Sequence, residues 1–171
     1  MSSRQGRQAS DRPEVPGDRT VATNRRARHD YAIEETFEAG MVLTGPEVKS
    51  LRAGRATLND AYARVDESGT GLWVENLHIP PYEMADMRAY EAKRPRKLLV
   101  HREEISRLIG KTAERGLTLV PLKIYFTRGL AKMELGLGRG KRKFEKRDAI
   151  AEREHRREIE RGLAARRRDR A

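Results

Sequence analysis

The chain has 171 residues and a formal net charge of +11 at pH 7; 37% of its residues are charged and 37% are hydrophobic. This length allows one compact domain with polar extensions, and the absence of cysteine excludes disulfides and thiolate zinc sites and favours a reducing compartment, the cytoplasm. No segment reaches the roughly 20 apolar residues that span a bilayer, and the N-terminal segment lacks the apolar run of a signal peptide, so we expect neither membrane insertion nor secretion.

The predicted fold begins after a polar leader. Residues 1–23 are rich in Ser, Gln, Gly, Pro, Asp and Arg without apolar periodicity, which predicts a flexible segment with order starting near Asn24. A first strand follows and ends at the Ala39-Gly40 turn. Its apolar residues, at alternate or near-alternate positions, are Tyr31, Ile33 and Phe37.

A short helix is predicted next. Gly45-Pro46 marks its start, because proline is tolerated in the first turn of a helix, and Gly54 marks its end. Val48 and Leu51 provide one inward-facing apolar side. The sequence therefore predicts a helix of about two turns directly after the first strand.

The middle of the chain predicts a β-hairpin, a long loop and a second helix. The hairpin turns at residues 68–71, and residues 80–96 form the loop that leads to the apolar run Leu98-Leu99-Val100. The helix spans Arg102 to Arg115, with Gly116 placed to cap its end. The apolar residues of the hairpin are Tyr62, Val65, Trp73, Val74, Leu77 and Ile79.

Two further strands complete the predicted domain, with a turn at residues 127–129. The total is five or six short strands and two short helices within residues 24–138, which favours a mainly β fold, a small closed barrel, over a doubly wound α/β sheet. The alternating apolar residues of these two strands are Thr118, Val120, Leu122, Ile124 and Phe126, and then Met133, Leu135 and Leu137.

Residues 139–171 form a basic tail. They contain 14 Lys and Arg against 7 Asp and Glu, with few apolar residues to bury. A segment of this composition cannot form a core, so we expect it to be disordered alone and ordered on RNA, which supplies the missing negative charge. Its apolar residues are too sparse for an amphipathic membrane-binding helix, so nucleic acid is favoured over a membrane surface as partner.

Two short motifs imitate nucleotide-binding signatures but have the wrong spacing. Gly110-Lys111-Thr112 resembles the end of a Walker A motif, yet the upstream glycine position holds Ile105; residues 136–140 resemble a dinucleotide fingerprint, yet the third glycine position holds Lys141. We predict no catalytic residue, metal or cofactor. The four histidines, none of which pairs with another at metal-ligand spacing, are His29, His78, His101 and His155.

Several polar residues suggest contacts to RNA, with ordinary solvated surface as the alternative for each. The segment 24–29 offers guanidinium groups, an amide and an imidazole for phosphates and unpaired bases: Asn24, Arg25, Arg26, Arg28 and His29. Lys49 and Arg52 share one face of the first helix. Lys123 and Lys132 are polar positions on two neighbouring strands.

Leu99 is an unusual position beside the cations Arg96 and Lys97. If Leu98 and Val100 point inward, alternation points Leu99 outward, where an exposed leucine is an uncommon choice unless a base packs on it. We therefore predict that Lys97 and Leu99 face RNA.

Three long segments together resemble the SsrA-binding protein family of bacterial trans-translation, also called small protein B. They are NRRARHDYAIEETFEAGMVLTGPEVKSLRAG, RKLLVHREEISRLIGKTAERGLTLVPLKIYF and GRGKRKFEKRDAIAEREHRREIER. The resemblance covers about residues 24–163. It implies an oligonucleotide-binding (OB) barrel that grips the tRNA-like domain of transfer-messenger RNA (tmRNA), and a tail that enters the ribosome's vacant mRNA path. From the helical spacing of its opposite charges we predict that this tail becomes helical on the ribosome.

In that family the protein is an adaptor, not an enzyme; it replaces the missing anticodon arm, and we expect one monomer per tmRNA. The resemblance implies that Glu38 binds tmRNA, by accepting hydrogen bonds or by holding a neighbouring Arg. It also implies that the tail reaches the decoding centre, where Phe144 stands at a position that is His in some relatives. The tail residues concerned are Gly140, Lys141, Arg142, Lys143, Phe144, Lys146 and Arg147.

Two alternatives remain at this stage. One is a generic OB module in ribosome assembly or initiation, which would bind many RNAs alike and would not need the tail. The other is an RNA-cleaving barrel that uses the carboxylates of Glu34, Glu35 and Glu38 with His29.

Overall fold

The computed structural model describes residues 19–83, 87–113 and 116–168. This part of the chain is mainly β, with seven strands, four α-helices and a 3₁₀ turn at Met87–Ala89. The elements in chain order are β1 (Arg19–Thr23), α1 (Ala27–Asp30), β2 (Tyr31–Met41), α2 (Gly45–Arg52), β3 (Tyr62–Val65), β4 (Leu72–Glu75), β5 (Arg96–Leu99), α3 (Arg102–Ala113), β6 (Leu117–Thr127), β7 (Leu130–Gly140) and α4 (Lys143–Arg168).

All seven strands belong to one antiparallel sheet. Their order is β1-β6-β3-β4-β5-β2-β7, and β6 also pairs with β7. Each of the strands β2 to β7 therefore has a paired strand on both sides. The long strand β6 pairs with β3 near its N-terminal end, at Leu119, and with β1 along its C-terminal half.

The structure corrects the predicted leader at its C-terminal end. Arg19–Thr23, which we expected to be flexible, form β1 and pair with β6. Val21 and Ala22 pack against the main core, so pairing and burial order a segment that has no periodic pattern of its own. Residues 1–18 of the predicted leader lie outside the described part.

The basic segment after β7 contains the helix α4. The strand continues to Gly140, two residues beyond the predicted end of the barrel, and the chain divides into two compact units after that residue. Within α4, Ile150 and Ile159 are exposed. That this segment is disordered in the absence of RNA remains a prediction. Among the helices of residues 19–83, 87–113 and 116–168, none has the length and apolar character needed to cross a bilayer.

The alternation predicted for β6 is wrong in its detail. Ile124 and Phe126 lie in the main core, but Val120 and Leu122 belong to a second apolar cluster. The register of β6 against β7 shifts between Pro121 and Lys123, and one extra residue in a strand turns every later side chain to the opposite face. The second cluster is Ala27, Val120 and Leu122, packed by Tyr31 and Ile33.

Two glycines in β7 make room for this second cluster. A Cβ atom at Gly136 would lie 3.1 Å from Ile33 and 3.2 Å from the Cδ1 atom of Leu122. A Cβ atom at Gly138 would lie 2.5 Å from the backbone oxygen of Ala32. Gly136 and Gly138 of the motif that imitates a nucleotide signature are therefore required by packing of β7 against its neighbours β2 and β6.

A buried ion pair joins α2 to β5. Glu47 and Arg96 are 1% and 0% exposed, and the Nε atom of Arg96 donates to Glu47 Oε1 at 2.7 Å. Arg96 also donates to the backbone oxygens of Leu77, at 2.6 Å, and Ala92, at 3.0 Å. Arg94 donates to both carboxylate oxygens of Glu47, at 2.9 and 2.6 Å. The pair thus fixes the loop before β5 as well as the strand.

Burial alone would raise the pKa of Glu47, but its hydrogen bonds outweigh this effect. The guanidinium of Arg94, the backbone N–H of Thr44 and the guanidinium of Arg96 all donate to the carboxylate and lower its pKa below the ordinary value. Glu47 is therefore ionised at neutral pH, as Arg96 requires.

We expect Gly138→Ala to destabilise the fold by about 1–3 kcal/mol, because the new methyl group clashes with backbone that cannot move away freely. Gly140→Ala is the matched control, since a Cβ atom there meets nothing within 4 Å, and it should change the free energy of unfolding by less than about 0.5 kcal/mol. Urea denaturation of the two variants measures both values. Equal stabilities would contradict the packing role of Gly138.

We expect Glu47→Gln to cost about 3–5 kcal/mol, because it leaves the buried guanidinium of Arg96 without a counter-charge. The control is Glu83→Gln, which breaks the exposed pair of Glu83 with Arg55, at 3.1 Å, and should cost about 0–1 kcal/mol. Chemical denaturation at pH 7 compares the two, and a Glu47 variant as stable as its control would show that the pair does not hold α2 and β5 together.

Candidate nucleic-acid interface

Five of the predicted RNA-binding residues lie on one face of four neighbouring strands, β5, β2, β7 and β6. Gly40 on β2 is paired with Leu99 on β5 and with Lys132 on β7, and Lys132 is paired with Tyr125 on β6. Their side chains point away from the main core, so we call this surface the outward face. The five predicted residues on it are Glu38, Lys97, Leu99, Lys123 and Lys132.

Glu38 is held by two donors on this face. The hydroxyl of Tyr125 donates to one carboxylate oxygen, and Lys132 Nζ donates to the other at 2.5 Å. The sequence left open whether Glu38 accepts hydrogen bonds from RNA or holds a neighbouring cation. In the structure it holds a cation, which is a lysine and not the expected arginine.

A second acid and lysine lie beside this group. Glu134 is opposite Glu38 in the β2–β7 register and is only 6% exposed. Lys123 Nζ lies 3.9 Å from Glu134 Oε2 and 5.3 Å from the ring centroid of Tyr125. The two lysines thus balance two carboxylates, one of which is buried, so this part of the face offers oriented polar groups more than net positive charge.

The predicted exposure of Leu99 is confirmed. Leu99 is 55% exposed whereas Leu98 is 1% exposed, and Lys97 is exposed as alternation requires. Gly40, the β2 partner of Leu99, has no side chain to cover it. A large apolar group therefore stands on the outward face beside a lysine.

Arg96, the other cation beside Leu99, does not lie on the outward face. It is fully buried against Glu47. The signal that identifies it is the alternation itself, because Arg96 has the same parity as the buried Leu98.

The cluster on α1 is mostly exposed. Arg25, Arg26 and Arg28 face solvent around the buried Ala27, which anchors α1 on the second apolar cluster. Asp30, which is not among the predicted residues, accepts a hydrogen bond from His29 Nδ1 at 2.9 Å and lies 3.9 Å from Arg26 Nε. The geometry leaves guanidinium groups on the surface for phosphates.

Asn24 has a different position from its neighbours, because it is buried. Its side-chain amide donates to the backbone oxygens of Pro121, at 3.0 Å, and Leu58, at 3.3 Å, and its side-chain oxygen accepts from the N–H of Ala27 at 3.1 Å. These bonds occupy the amide and fix the start of α1. Asn24 therefore positions the arginines rather than presenting its own side chain.

Lys49 and Arg52 are exposed on α2, as predicted, but their contacts are not with the outward face. Lys49 Nζ lies 5.8 Å from the ring centroid of Tyr82, and Arg52 Cζ lies 5.2 Å from that of Phe126. The side chain of Arg19, on β1, donates a hydrogen bond to the backbone oxygen of Arg52 at 2.9 Å. Arg19 is therefore a third cation beside Lys49 and Arg52.

The predicted tail residues begin where β7 ends. Gly140 and Arg142 are exposed, Lys141 is half-buried, and Arg147 is exposed on α4. The side chains of the other three lie outside the described part, although their backbone is in α4: Lys143, Phe144 and Lys146.

The carboxylates of the RNA-cleaving alternative belong to separate ion pairs. Glu34 lies 3.0 Å from Arg139, and Glu38 binds Lys132. Glu35 binds Arg107 and Lys111 on α3, the latter at 2.9 Å. Within residues 19–83, 87–113 and 116–168, no group of three or more His, Asp or Glu side chains is arranged to hold a metal ion.

Glu35 has a lowered pKa. Burial opposes this shift, but the hydrogen bonds from Lys111 and Arg107 and the charges of these two residues prevail. Burial opposes a rise in the pKa of Arg107, but the contacts of this guanidinium with Glu35 and Glu104 prevail and raise it. Glu35 thus acts as an ionic anchor for α3.

Comparisons with known proteins all point to one protein family. Residues 21–165 match the family model described as SmpB protein. The SsrA-binding protein of Thermobifida fusca is 58% identical over 88% of this chain and 93% of its own length. The SsrA-binding protein of Moorella thermoacetica is also 58% identical, over 86% of this chain and 95% of its own length. A solved structure described as "tmRNA-SmpB: a journey to the center of the bacterial ribosome" is 51% identical, with a TM-score of 0.60, and covers 75% of this chain and 93% of its own.

We expect Glu35→Gln to cost about 1 kcal/mol at pH 7, because it removes two partly exposed ion pairs. Since the folded-state pKa of Glu35 is below its ordinary value of 4.5, its stabilisation is present above pH 4.5 and is lost as the pH falls through the folded-state pKa. The stability difference between wild type and variant should therefore shrink below pH 4.5. Denaturation curves at a series of pH values measure it; a difference that is constant down to pH 2 would contradict the anchor.

Proposed function

The chain belongs to the SmpB protein family, and on that premise we propose that it is a tmRNA-binding adaptor that rescues stalled ribosomes by trans-translation. The observation that carries the proposal is the outward face. Residues separated by up to 94 positions in the chain, Glu38 and Lys132, are in direct contact there. The protein's partners in this proposal are tmRNA and the ribosome, and it acts in the cytoplasm as one monomer per tmRNA.

We infer that the ring of strands β2 to β7 is a closed OB-type barrel. The supporting observation is that β6 and β7, at the two ends of this run of strands, also pair with each other. A closed barrel has no free edges within the ring, so its outer surface is a rigid support for polar side chains. Proteins of this architecture bind oligonucleotides on the outer face of their strands and neighbouring loops.

The tRNA-like domain of tmRNA would lie across the outward face and α1. Arg25, Arg26 and Arg28 take phosphates there, which supplies affinity without sequence preference. Glu38 sets the positions of Lys132 and Tyr125 against the RNA. The buried amide of Asn24 acts indirectly, because it fixes the segment that carries the arginines.

The basic tail performs the second part of the function. It enters the vacant mRNA path and decoding centre in place of the missing anticodon arm, and its helix is stabilised by the surrounding RNA phosphates. Phe144 stacks on a base in this account. An imidazole is not needed for stacking, so a phenylalanine satisfies this role, whereas a role requiring a ring proton would not be met.

We expect the full-length protein to prefer tmRNA by about a hundredfold or more over bulk tRNA and an unrelated structured RNA at physiological salt. Truncation after Gly140, the last residue of β7, should leave tmRNA affinity within a fewfold, since the outward face and α1 are intact, and should abolish peptide tagging on stalled ribosomes. Competition binding and a reconstituted tagging assay measure the two effects.

The control is a tail of the same length and charge in scrambled order, which tests whether charge alone suffices. Equal binding of all three RNAs would favour the generic OB module over the adaptor. Loss of tmRNA binding and tagging together on truncation would contradict the division into a binding barrel and a ribosome-reading tail.

A further inference from the structure

The outward face continues from β5 onto β4 and β3. Lys97 is paired with Trp73 on β4, and Trp73 is paired with Arg64 on β3. Leu72 and Val74, on either side of Trp73, are fully buried, so the indole points outward and is partly exposed. In the sequence, Trp73 stands out only as an apolar residue of the predicted hairpin.

The indole is held in place by the neighbouring turn. Its N–H donates to the carboxylate of Asp66. Asp66 also accepts from the hydroxyl of Ser68 at 2.7 Å and the N–H of Thr70 at 3.1 Å, and these bonds, that of Ser68 first, lower its pKa to about 2. Asp66 is therefore ionised at any pH at which the protein works, and the ring has little rotational freedom left to lose on binding.

Gly71 provides the space for this arrangement. A Cβ atom there would lie 2.5 Å from Asp66 Oδ2 and 3.1 Å from Trp73 Nε1. Since Leu72 is paired with Leu98, Gly71 also comes beside Leu99, which has Gly40 on its other side. Glycine on both sides leaves Leu99 uncovered near the indole.

The surroundings of the ring combine apolar and basic groups. Val42 is 44% exposed and donates its N–H to the Lys97 carbonyl at 3.0 Å, so it extends the same row of side chains. Arg64 forms an ion pair with Glu75 at 2.8 Å, so Lys97 contributes the positive charge next to the ring. Exposed aliphatic side chains, an immobilised indole and a lysine fit a nucleotide, because a base offers a flat apolar face and its phosphate a negative charge.

We propose that Trp73 is an RNA-contacting residue that stacks on an unpaired base, while Lys97 binds the adjoining phosphate and Leu99 packs against the same nucleotide. This inference rests on the proposed function and extends its binding face by one strand, β4. Aromatic stacking is tolerant of base identity, so the site adds affinity and fixes the position of the RNA without reading a sequence. The competing view is that Trp73 only covers the β3–β4 turn.

The chain contains a single tryptophan, so its intrinsic fluorescence reports on Trp73 alone. We would titrate the full-length protein with a transcribed tRNA-like domain of tmRNA and measure indole emission and filter binding in the same samples. Stacking should quench the emission, with a midpoint equal to that of binding. Binding without a change in emission would overturn the inference and leave the proposed function standing, whereas absence of binding would overturn both.

Variants separate stacking from a structural role. Trp73→Phe keeps a stacking face and should bind within about fivefold of wild type, while Trp73→Ala should bind roughly 5- to 150-fold more weakly. Lys97→Gln should weaken binding and reduce the slope of log affinity against log salt concentration by about 1, the effect of one lost phosphate contact. The control, Arg128→Gln in the exposed β6–β7 turn, should leave both the affinity and this slope unchanged.

Thermal unfolding is measured for each variant. If Trp73→Ala is unfolded, the quenching of the wild type and the affinity of Trp73→Phe still decide the question. Equal affinity of a folded Trp73→Ala variant and the wild type would reduce Trp73 to a cover for the turn and contradict the proposal.

Discussion

The buried pair between Glu47 and Arg96 is the interaction on which the binding surface depends. It ties the first turn of α2 to β5, and Arg96 carries the loop before β5 with it through bonds to backbone oxygens. A buried charge pair contributes little net stability compared with apolar packing, but breaking it is costly because one charge is left buried without a partner. With Arg96 facing inward, Lys97 and Leu99 take their places on the outward face.

The strand irregularities give the sheet a second apolar surface. The shift in β6 turns Val120 and Leu122 outward, and the glycines of β7 leave space for Ile33. The resulting small cluster holds α1 through Ala27. A regular sheet would have placed all these apolar residues in one core and left α1, with its arginines, without an anchor.

Charge is distributed unevenly between the parts of this surface. On the outward face Lys123 and Lys132 are balanced by Glu134 and Glu38, so contacts there depend on geometry. The arginines of α1 and the basic tail carry the excess positive charge. In the proposed function, the arginines of α1 and the tail would supply long-range attraction to phosphates, and the oriented groups of the outward face would discriminate between RNAs.

The sequence by itself determined the mainly β class, the two middle helices, the outward position of Leu99 and the family resemblance, because alternation and helical spacing are local signals. The tertiary structure decided the burial of Asn24, the lysine partner of Glu38, the strand at Arg19–Thr23 and the place of Trp73 beside Lys97. These depend on which strands pair and in which register. Pairing joins residues far apart in the chain, and a shift of one residue exchanges the two faces of a strand, so no local pattern contains that information.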